Sequence, residues 1–248
     1  AAALDFVRAI GKTPIVVNDS RGFFTSRVVA TYVGEGHAML GEGVPAAMVE
    51  NVGQIAGMPV GPLALNDEVG VDLALAITRA AKADLGEDYK APGEQLLAAM
   101  VETHGRFGRK NAKGFYDYPE SGKKRLWPEL GEVLPQARPA DEFNVGDLAE
   151  RFLTIQALET ARCFEEGVLN DVRDADVGAI LGFGFAPFTG GPLSYIDMIG
   201  LEAFVGRCER LAKAHGTRFS PCQLLCDMAG KGETFYTRFA PDAERRAA

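Results

Sequence analysis

The polar side chain best placed for chemistry in this sequence is a serine at the start of a long helical pattern. Ser26 follows the turn at Gly22 and lies in the first turn of a helix that the apolar spacing predicts over 23–40. Helix N-termini carry unpaired N–H donors and partial positive charge, which suit an oxygen-bearing ligand. The alternative is that the Ser26 hydroxyl only hydrogen-bonds the backbone.

A basic loop is the second candidate for ligand binding. Residues 109–113 read Arg-Lys-Asn-Ala-Lys and lie between Gly108 and Gly114. Their cations and backbone N–H groups could present a phosphate site. A tight connection, whose cations bind the carbonyl groups of nearby helix ends, is the alternative.

The histidines do not form a recognisable catalytic pattern. General acid–base catalysis commonly uses a His supported by a carboxylate. The sequence has three histidines, His37, His104 and His215, and each adjoins a glycine near a predicted helix end or within a helix. Since a His near a helix C-terminus is commonly a structural cation, we predict structural roles for all three. Serine-hydrolase, zinc-protease and phosphate-loop motifs do not occur in the sequence.

Cofactor and metal motifs are also missing from the sequence. The glycine pairs at 41–43 and 182–184 lack the third glycine and the preceding strand of a dinucleotide fingerprint, so we expect no nucleotide site built wholly within this chain. The cysteines show no CxxC pair, and we interpret them as free thiols of a reducing compartment. Cys222 and Cys226 would be neighbours on a helix, which leaves a redox or metal role as the alternative.

Composition limits the possible partners. The chain has 248 residues, a net charge of −8 and a pI near 5.0. An acidic surface argues against a nucleic-acid partner, because binding to a phosphate backbone draws on clustered Lys and Arg. The uncharged stretch at 177–196 is interrupted by prolines and glycines, so we predict no transmembrane segment, and no signal peptide is expected.

The elements that must position these residues occur twice. The stretch 61–72, Gly-Pro-Leu-Ala-Leu-Asn-Asp-Glu-Val-Gly-Val-Asp, returns without a gap at 191–202 as Gly-Pro-Leu-Ser-Tyr-Ile-Asp-Met-Ile-Gly-Leu-Glu. Upstream, Gly43 corresponds to Gly167, and we place the extra residues of the second copy at 182–187. A Phe-Tyr pair follows a glycine-and-lysine loop near the end of each copy. Two copies of one unit predict a duplicated domain.

The periodic patterns between the turn signals are mostly helical. A helix end at 4–10 and a short apolar strand at Ile15–Val17 come first, and we interpret them as the tail of an α/β domain. The prolines of 119–141 predict an inter-domain connection. The remaining predicted helices cover 45–56, 71–85, 95–101, a stretch that begins at Asn144, 201–215 and 222–229.

Several motifs together resemble the C-terminal region of the 3-hydroxyacyl-CoA dehydrogenase family. They are Val17-Asn18-Asp19 with Gly22-Phe23-Phe24-Thr25-Ser26-Arg27, Met58-Pro59-Val60-Gly61-Pro62, Asp67-Glu68-Val69-Gly70-Val71-Asp72, and Phe107-Gly108-Arg109-Lys110 with Lys113-Gly114-Phe115-Tyr116. The two tandem copies are similar to the α-subunit of multifunctional fatty-acid β-oxidation enzymes of the trifunctional type.

The resemblance implies a divided active site. In the family a Rossmann domain holds NAD and a catalytic His–Glu pair, and helical domains close the acyl-CoA site. We therefore expect the cofactor and the base on residues before Ala1, with NAD in the intact protein and none bound to this chain. Ser26 takes the place of the family's active-site Asn, and its hydroxyl can donate one hydrogen bond to the substrate's 3-oxygen. Pro62 matches a proline of the family's pocket wall and would act by shape.

The predicted fold is all-α, with two tandem helical domains related by a pseudo-twofold axis, similar to the C-terminal domain of 6-phosphogluconate dehydrogenase. We predict a remnant helix and strand of the NAD-binding domain at 1–20, a first helical domain at 21–118, a linker at 119–142 and a second helical domain at 143–248.

The predicted function is the acyl-CoA side of the cleft in an NAD-dependent 3-hydroxyacyl-CoA dehydrogenase of fatty-acid β-oxidation. On its own the chain is expected to be inactive. A non-catalytic association module is the alternative, since the helical domain forms the dimer in the family's single-copy members. The resemblance also implies Rossmann and hydratase domains and a thiolase β-subunit as partners, and a location in the bacterial cytoplasm or the mitochondrial matrix.

Overall fold

The computed structural model describes residues 2–86 and 91–240, and this part of the chain is predominantly helical. It contains 65% helix and 3% strand, which confirms the all-α prediction. One antiparallel pair of two-residue strands, β1 (Tyr116–Asp117) and β2 (Arg125–Leu126), is the only sheet within the described ranges. Tyr116 lies opposite Leu126 in that pair.

The helices are numbered in chain order. They are α1 (Ala2–Ala9), α2 (Thr25–Gly41), α3 (Ala46–Ile55), α4 (Pro62–Val69), α5 (Val71–Leu85), α6 (Glu94–Ala98), α7 (Val145–Glu165), α8 (Val172–Phe183), α9 (Pro192–Ile199), α10 (Leu201–His215), α11 (Gln223–Lys231) and α12 (Phe235–Arg238). A π-helical turn at Ala99–Thr103 continues α6, and 3₁₀ turns lie at Arg109–Asn111, Pro128–Glu132, Ala140–Glu142, Pro187–Thr189 and Thr217–Phe219. None of the described helices is both long and apolar enough to cross a bilayer.

The chain divides into two compact units that cut across the sequence repeat. The discontinuous unit combines Ala1–Thr31 with Leu153–Ala248, and the continuous unit is Tyr32–Phe152. The two long helices, α2 and α7, each contribute residues to both units. The domain boundaries drawn from the sequence follow the repeat and stay a prediction.

The predicted strand at Ile15–Val17 is wrong for the described part of the chain. Val17 makes a single antiparallel bridge with Leu169, and the Val16 N–H donates to an Asp174 carboxylate oxygen at 3.3 Å rather than to a strand. The Asn18 N–H donates to the Val168 carbonyl at 2.9 Å as part of this bridge, which does not extend into a ladder. Hydrogen bonds therefore attach this short segment to the second copy, but the two do not form a strand pair.

A buried carboxylate explains the Gly-Pro start of the repeated motif. Glu50 of α3, 4% exposed, accepts hydrogen bonds from the Leu63 and Ala64 N–H groups at 2.6 and 3.2 Å. These are free donors of the first turn of α4, where the proline has none to satisfy. A Cβ at Gly61 would lie 2.6 Å from the Glu50 carboxyl carbon, so only glycine fits this approach.

The aspartate of the motif binds the Phe-Tyr pair. Asp67, 1% exposed, accepts from the N–H groups of Phe115 and Tyr116 at 2.7 and 2.9 Å, and from the Tyr118 hydroxyl at 3.0 Å. Burial raises the pKa of Asp67 to about 6, although these donors act in the opposite direction. The donors keep α4 attached to the segment that ends the first copy.

The second copy repeats both arrangements with its own residues. Asp176 of α8 accepts from the Leu193 N–H at 2.8 Å, and a Cβ at Gly191 would lie 2.3 Å from the Asp176 Cβ. Asp197 accepts from the Phe235 N–H at 2.8 Å, and the Tyr236 N–H also donates to its carboxylate. The matching contacts show that the sequence repeat is a repeat of structure.

Replacing Asp67 by Ala should lower the free energy of unfolding by about 2–4 kcal/mol, because buried donors would lose their acceptor. Urea unfolding followed by circular dichroism measures this. The matched control is Glu68→Ala, which removes an exposed partner of Arg109 and should cost less than about 1 kcal/mol. Equal losses in the two variants would contradict the role assigned to Asp67.

The raised pKa of Asp67 also determines how its contribution to stability changes with pH. The Asp67 carboxyl group binds its proton more tightly in the folded protein than in the unfolded chain, because burial raises its pKa from 3.8 to about 6. The contribution of Asp67 to the free energy of unfolding is therefore greatest below pH 3.8 and is lost as the pH rises through about 6.

Candidate functional site

Ser26 lies in the first turn of α2 and is exposed. Among the described residues its Oγ makes no hydrogen bond, so the backbone bond considered from the sequence is not formed. The hydroxyl therefore remains available as a donor and as an acceptor at a helix N-terminus. Its contact with substrate stays a prediction.

The residue that leads into this turn has an unusual backbone conformation. Phe23 has a φ of +49° and is 53% exposed, directly after Gly22 at +74°. A left-handed conformation costs a residue with a side chain about 1–2 kcal/mol. The Phe23 N–H donates to the Ser20 carbonyl at 3.0 Å, which closes the turn. Such strain persists only where surrounding contacts hold it, and it is concentrated at functional sites.

Contacts with the second copy hold the Ser26 turn in place. The Asn18 side chain donates to the Gly167 carbonyl at 2.7 Å. Phe24 is fully buried, and its ring centre lies 6.0 Å from that of Phe183 on α8. The turn from the first copy therefore rests on residues that are distant in sequence.

An arginine next to Ser26 provides the charged part of this attachment. Arg27 Nε donates to Glu159 of α7 at 2.8 Å, and its two terminal nitrogens donate to Glu166 at 2.5 and 3.1 Å. We call these three residues the Arg27 clamp. The Glu166 hydrogen bond raises the pKa of Arg27 and the guanidinium lowers the pKa of Glu166. The Arg27 guanidinium and the Glu166 carboxylate are therefore both charged over the physiological range.

The continuous unit contains an equivalent clamp. Arg151 of α7 is 2% exposed, and its Nε donates to Glu35 of α2 at 2.7 Å. Its two terminal nitrogens donate to Glu42 at 2.6 and 2.8 Å. Each residue of this Arg151 clamp lies 124 positions from its counterpart in the Arg27 clamp, as 151 − 27 shows. In the Arg151 clamp the arginine comes from the second copy and the glutamates from the first, which is the reverse of the Arg27 clamp.

The other predicted site residue, Pro62, is buried in the continuous unit. A Cβ at Gly36 of α2 would lie 2.8 Å from the Pro62 ring, and one at Gly53 of α3 would lie 3.0 Å from it. Pro62 therefore packs between two helices that approach closely because both carry glycine there. Ser26 and Pro62 belong to different units, and the pocket-wall role of Pro62 stays a prediction.

The basic loop uses two of its cations within the protein. Arg109 pairs with Glu68, and Lys110 Nζ lies 2.5 Å from an Asp72 carboxylate oxygen. Lys110 lowers the pKa of Asp72 by hydrogen bonding. The structure therefore favours the connecting role over a phosphate site, but the cations bind carboxylates instead of the helix carbonyls expected from the sequence.

Each histidine packs against a different aromatic ring. His37 is 4% exposed and stacks on Phe115, with ring centres 5.4 Å apart. Burial lowers the pKa of His37 to about 4, so this ring packs as a neutral side chain and not as the cation on which its predicted structural role was based. His104 packs on the Trp127 ring, and the His215 carbonyl accepts from Arg218.

The cysteines and the glycine pairs do not form a second site. Burial raises the pKa of Cys222 to about 11 and that of Cys208 to about 12, so both are protonated thiols. The described residues contain no group of three side chains suited to a metal ion. Gly41 ends α2, and Gly184 follows α8. Free backbone groups at such ends are carbonyls, which do not suit a pyrophosphate.

Ser26 does not line either of two cavities in the continuous unit. One, of about 250 Å³, is apolar and is lined by Leu40 and Trp127 among others. The second, of about 540 Å³, is lined by His37 and Lys82. Neither contains a free hydroxyl beside a helix N-terminus. We assign the candidate site to Ser26 because of its hydroxyl group at a helix N-terminus, although Ser26 lies on an exposed surface and not in a cavity.

The sequence analysis missed the Arg27 clamp, because its charged residues match no catalytic motif. The feature of the sequence that indicates this clamp is Arg27, which directly follows Ser26 in the Gly-Phe-Phe-Thr-Ser-Arg motif. Its partners Glu159 and Glu166 could have been found only from their correspondence with Glu35 and Glu42.

Replacing Arg27 by Ala should lower the free energy of unfolding by about 2 kcal/mol and accelerate hydrogen exchange at the Asn18 and Phe23 amides. Lys should restore little, because it cannot reproduce the forked contact with two carboxylates. Arg173→Ala, on an exposed surface of the same unit, is the control and should leave exchange in the turn unchanged. Protection that survives in Arg27→Ala would show that the clamp does not hold Ser26.

Residues 22–118 match a family model described as 3-hydroxyacyl-CoA dehydrogenase, C-terminal domain. The chain is also similar in structure to 3-hydroxybutyryl-CoA dehydrogenase from Escherichia coli K12, with a TM-score of 0.70 and 19% identity, over 93% of this chain and 64% of that one. A further similar structure is the dehydrogenase part of multifunctional enzyme 1 from C. elegans, with a TM-score of 0.65 and 21% identity, over 91% of this chain and 52% of that one.

At these identities the structural likeness shows the fold, and this chain spans less than two thirds of either structure. The family match covers the segment that contains both Ser26 and the first copy of the repeated motif. The segment at 22–118 thus matches the C-terminal domain of the 3-hydroxyacyl-CoA dehydrogenase family, which is the family that the motifs of this sequence resemble.

Proposed function

We propose that this chain forms the acyl-CoA side of the cleft in an NAD-dependent 3-hydroxyacyl-CoA dehydrogenase of fatty-acid β-oxidation. The observation that carries the proposal is the free, exposed hydroxyl of Ser26 at the N-terminus of α2. In this role the hydroxyl donates a hydrogen bond to the substrate's 3-oxygen, and the helix N-terminus adds partial positive charge beside it.

The second copy supports this assignment because it lacks the hydroxyl. Residues 22–27 correspond to 146–151, so Arg27 matches Arg151 and Ser26 matches Glu150. Both copies keep the arginine of a clamp, but only the first has a neutral hydroxyl directly before that arginine. The duplicated scaffold is thus compatible with one substrate-binding end.

The glycine pairs at 41–43 and 182–184 lie at helix C-termini, where the free backbone groups are carbonyls. We therefore derive no step through NAD on this chain. The proposal places NAD and the proton-accepting His–Glu pair on a Rossmann domain, as the family resemblance implies. The chain's own contribution is to orient the 3-oxygen through Ser26 and to help exclude water from the cleft.

Calorimetric titration of the 248-residue chain with 3-hydroxybutyryl-CoA tests this role. Ser26→Ala should weaken binding by about 3–10-fold, the usual range for one hydrogen bond, and should leave butyryl-CoA, which lacks the 3-hydroxyl, unaffected. Ser121→Ala, at an exposed serine of the connection, is the matched control. The chain alone should produce no NADH from NAD and the hydroxyacyl thioester.

Two outcomes would contradict the proposal. If Ser26→Ala weakened the binding of 3-hydroxybutyryl-CoA and of butyryl-CoA equally, the proposed contact between Ser26 and the 3-oxygen would be contradicted. Appearance of NADH with the isolated chain would show that its own residues carry the cofactor and the base.

The reciprocal clamps favour a second candidate, the association module. Arg27 binds glutamates of the second copy and Arg151 binds the corresponding glutamates of the first. Such an exchange is the pattern of a twofold interface between identical subunits. In this chain both sides of that interface are present in one polypeptide, which would replace a dimer.

Light scattering distinguishes the two candidates when it is combined with the titration. A monomer that binds 3-hydroxyacyl-CoA supports the cleft role, and its self-contained clamps explain why it needs no partner copy. A tight dimer that does not bind acyl-CoA supports association as the main role.

A further inference from the structure

A polar pair is buried where α2 meets α4. The two helices approach closely at Gly36 and Pro62, and His37 and Asn66 follow these residues by one position and by one helical turn. His37 is 4% exposed and Asn66 is 1% exposed. Burial lowers the pKa of His37, and the interaction of its ring with the Asn66 side chain acts in the opposite direction. The two polar side chains are therefore neighbours in the interior of the continuous unit.

This pair is not explained by the stability of the first copy. Within the described ranges, His37 Nε2 and both polar atoms of the Asn66 amide are buried and have no partner outside the pair. A polar group that leaves water without full hydrogen bonding costs free energy. Two apolar side chains of similar size would cost less at these positions.

The second copy has apolar residues at the equivalent positions. The clamps relate α2 to α7 by 124 positions, as 151 − 27 shows, so His37 corresponds to Ala161. The repeated motif relates α4 to α9 by 130 positions, as 191 − 61 shows, so Asn66 corresponds to Ile196. Ala161 and Ile196 are both fully buried. The fold therefore accepts an apolar interior here, and the polar pair distinguishes the first copy from the second.

The other contacts of the motif helices are shared by the two copies. Glu50 and Asp176 each accept from the start of the motif helix, and Asp67 and Asp197 each accept from the Phe-Tyr pair. Contacts that both copies make do not distinguish α4 from α9. The exchange of equivalent elements is a characteristic failure of proteins with repeated units, so a duplicated chain needs contacts that do distinguish them.

We propose that His37 and Asn66 form a pairing device, which directs α4 and not α9 to α2 during folding. If α9 took the place of α4, Ile196 would lie against His37 and leave the ring without a polar neighbour. If α4 took the place of α9, the Asn66 amide would be buried against Ala161. Each exchange leaves a buried polar group unpaired, and the native arrangement avoids this cost. The proposal concerns folding and does not rest on the proposed function.

Buried polar side chains are known to select partners in this way at a cost in stability. A single asparagine in the apolar seam of a coiled coil specifies register and the number of strands. The pair in the first copy likewise consists of polar side chains that face apolar ones in the competing arrangement. Its signature is therefore a loss of pairing specificity, without a loss of stability, when both side chains become apolar.

The test gives the first copy the interior of the second through His37→Ala combined with Asn66→Ile in the 248-residue chain. The midpoint of urea unfolding, followed by the fluorescence of the sole tryptophan, Trp127, should not fall. The yield of native monomer after dilution from urea should fall at least about twofold, with exchanged oligomers that increase with protein concentration. Size-exclusion chromatography with light scattering measures this yield.

The matched control is Thr154→Val on α7. Thr154 is fully buried, and its Oγ1 has no partner in the part of the chain that the structure describes. This variant removes a buried polar group of similar burial but leaves the contact between α2 and α4 unchanged, so its monomer yield should equal that of the unmodified chain. A second test pair, His37→Leu with Asn66→Leu, keeps a large apolar side chain at position 37.

Four outcomes decide the proposal. A lower monomer yield in the test pairs, with an unchanged urea midpoint and a normal yield in Thr154→Val, supports it. A normal yield in the test pairs overturns it. Equal losses in the test pairs and in Thr154→Val indicate a general effect of buried polar groups on refolding and also overturn it. A lower midpoint in both test pairs, or failure of both to fold, shows that the first copy needs His37 and Asn66 for its own stability and overturns it.

Discussion

Buried or half-buried carboxylates that accept backbone N–H bonds hold each copy of the motif together. Glu50 and Asp176 satisfy the free donors at the starts of α4 and α9, and Asp67 and Asp197 bind the Phe-Tyr pairs. A buried donor without an acceptor costs about 1–3 kcal/mol, so these contacts are strongly selective for the observed arrangement. They also explain the glycines of the motif, because a carboxylate occupies the space of a Cβ at Gly61.

The two arginine clamps add long-range order to this local order. Arg27 and Arg151 each place a forked cation between two glutamates of the other copy. Since a guanidinium is charged at any physiological pH and matches carboxylates in two directions, it suits a partly buried position between helices. The Arg27 clamp has a further consequence, because it fixes the start of the helix that presents Ser26.

The two ends built on this duplicated scaffold differ in chemistry. One carries the Ser26 hydroxyl and the strained Phe23, whereas the equivalent positions of the other carry Glu150 and Asp147. Shared contacts account for what the copies have in common. A ligand site is expected to differ from its duplicate at such surface positions.

The amino-acid order by itself determined the helical class, the duplication, the exact limits of α5 and α10, and the place of Ser26 in a first turn. These follow from apolar period, glycine and proline signals, and repeated letters, all of which act over short distances. Only the tertiary structure decided that Ile15–Val17 forms one bridge, that His37 is neutral, and that Arg27 binds Glu159 and Glu166. Each of these depends on which distant segment covers the residue, because burial and partner charge are set by packing and not by neighbours in sequence.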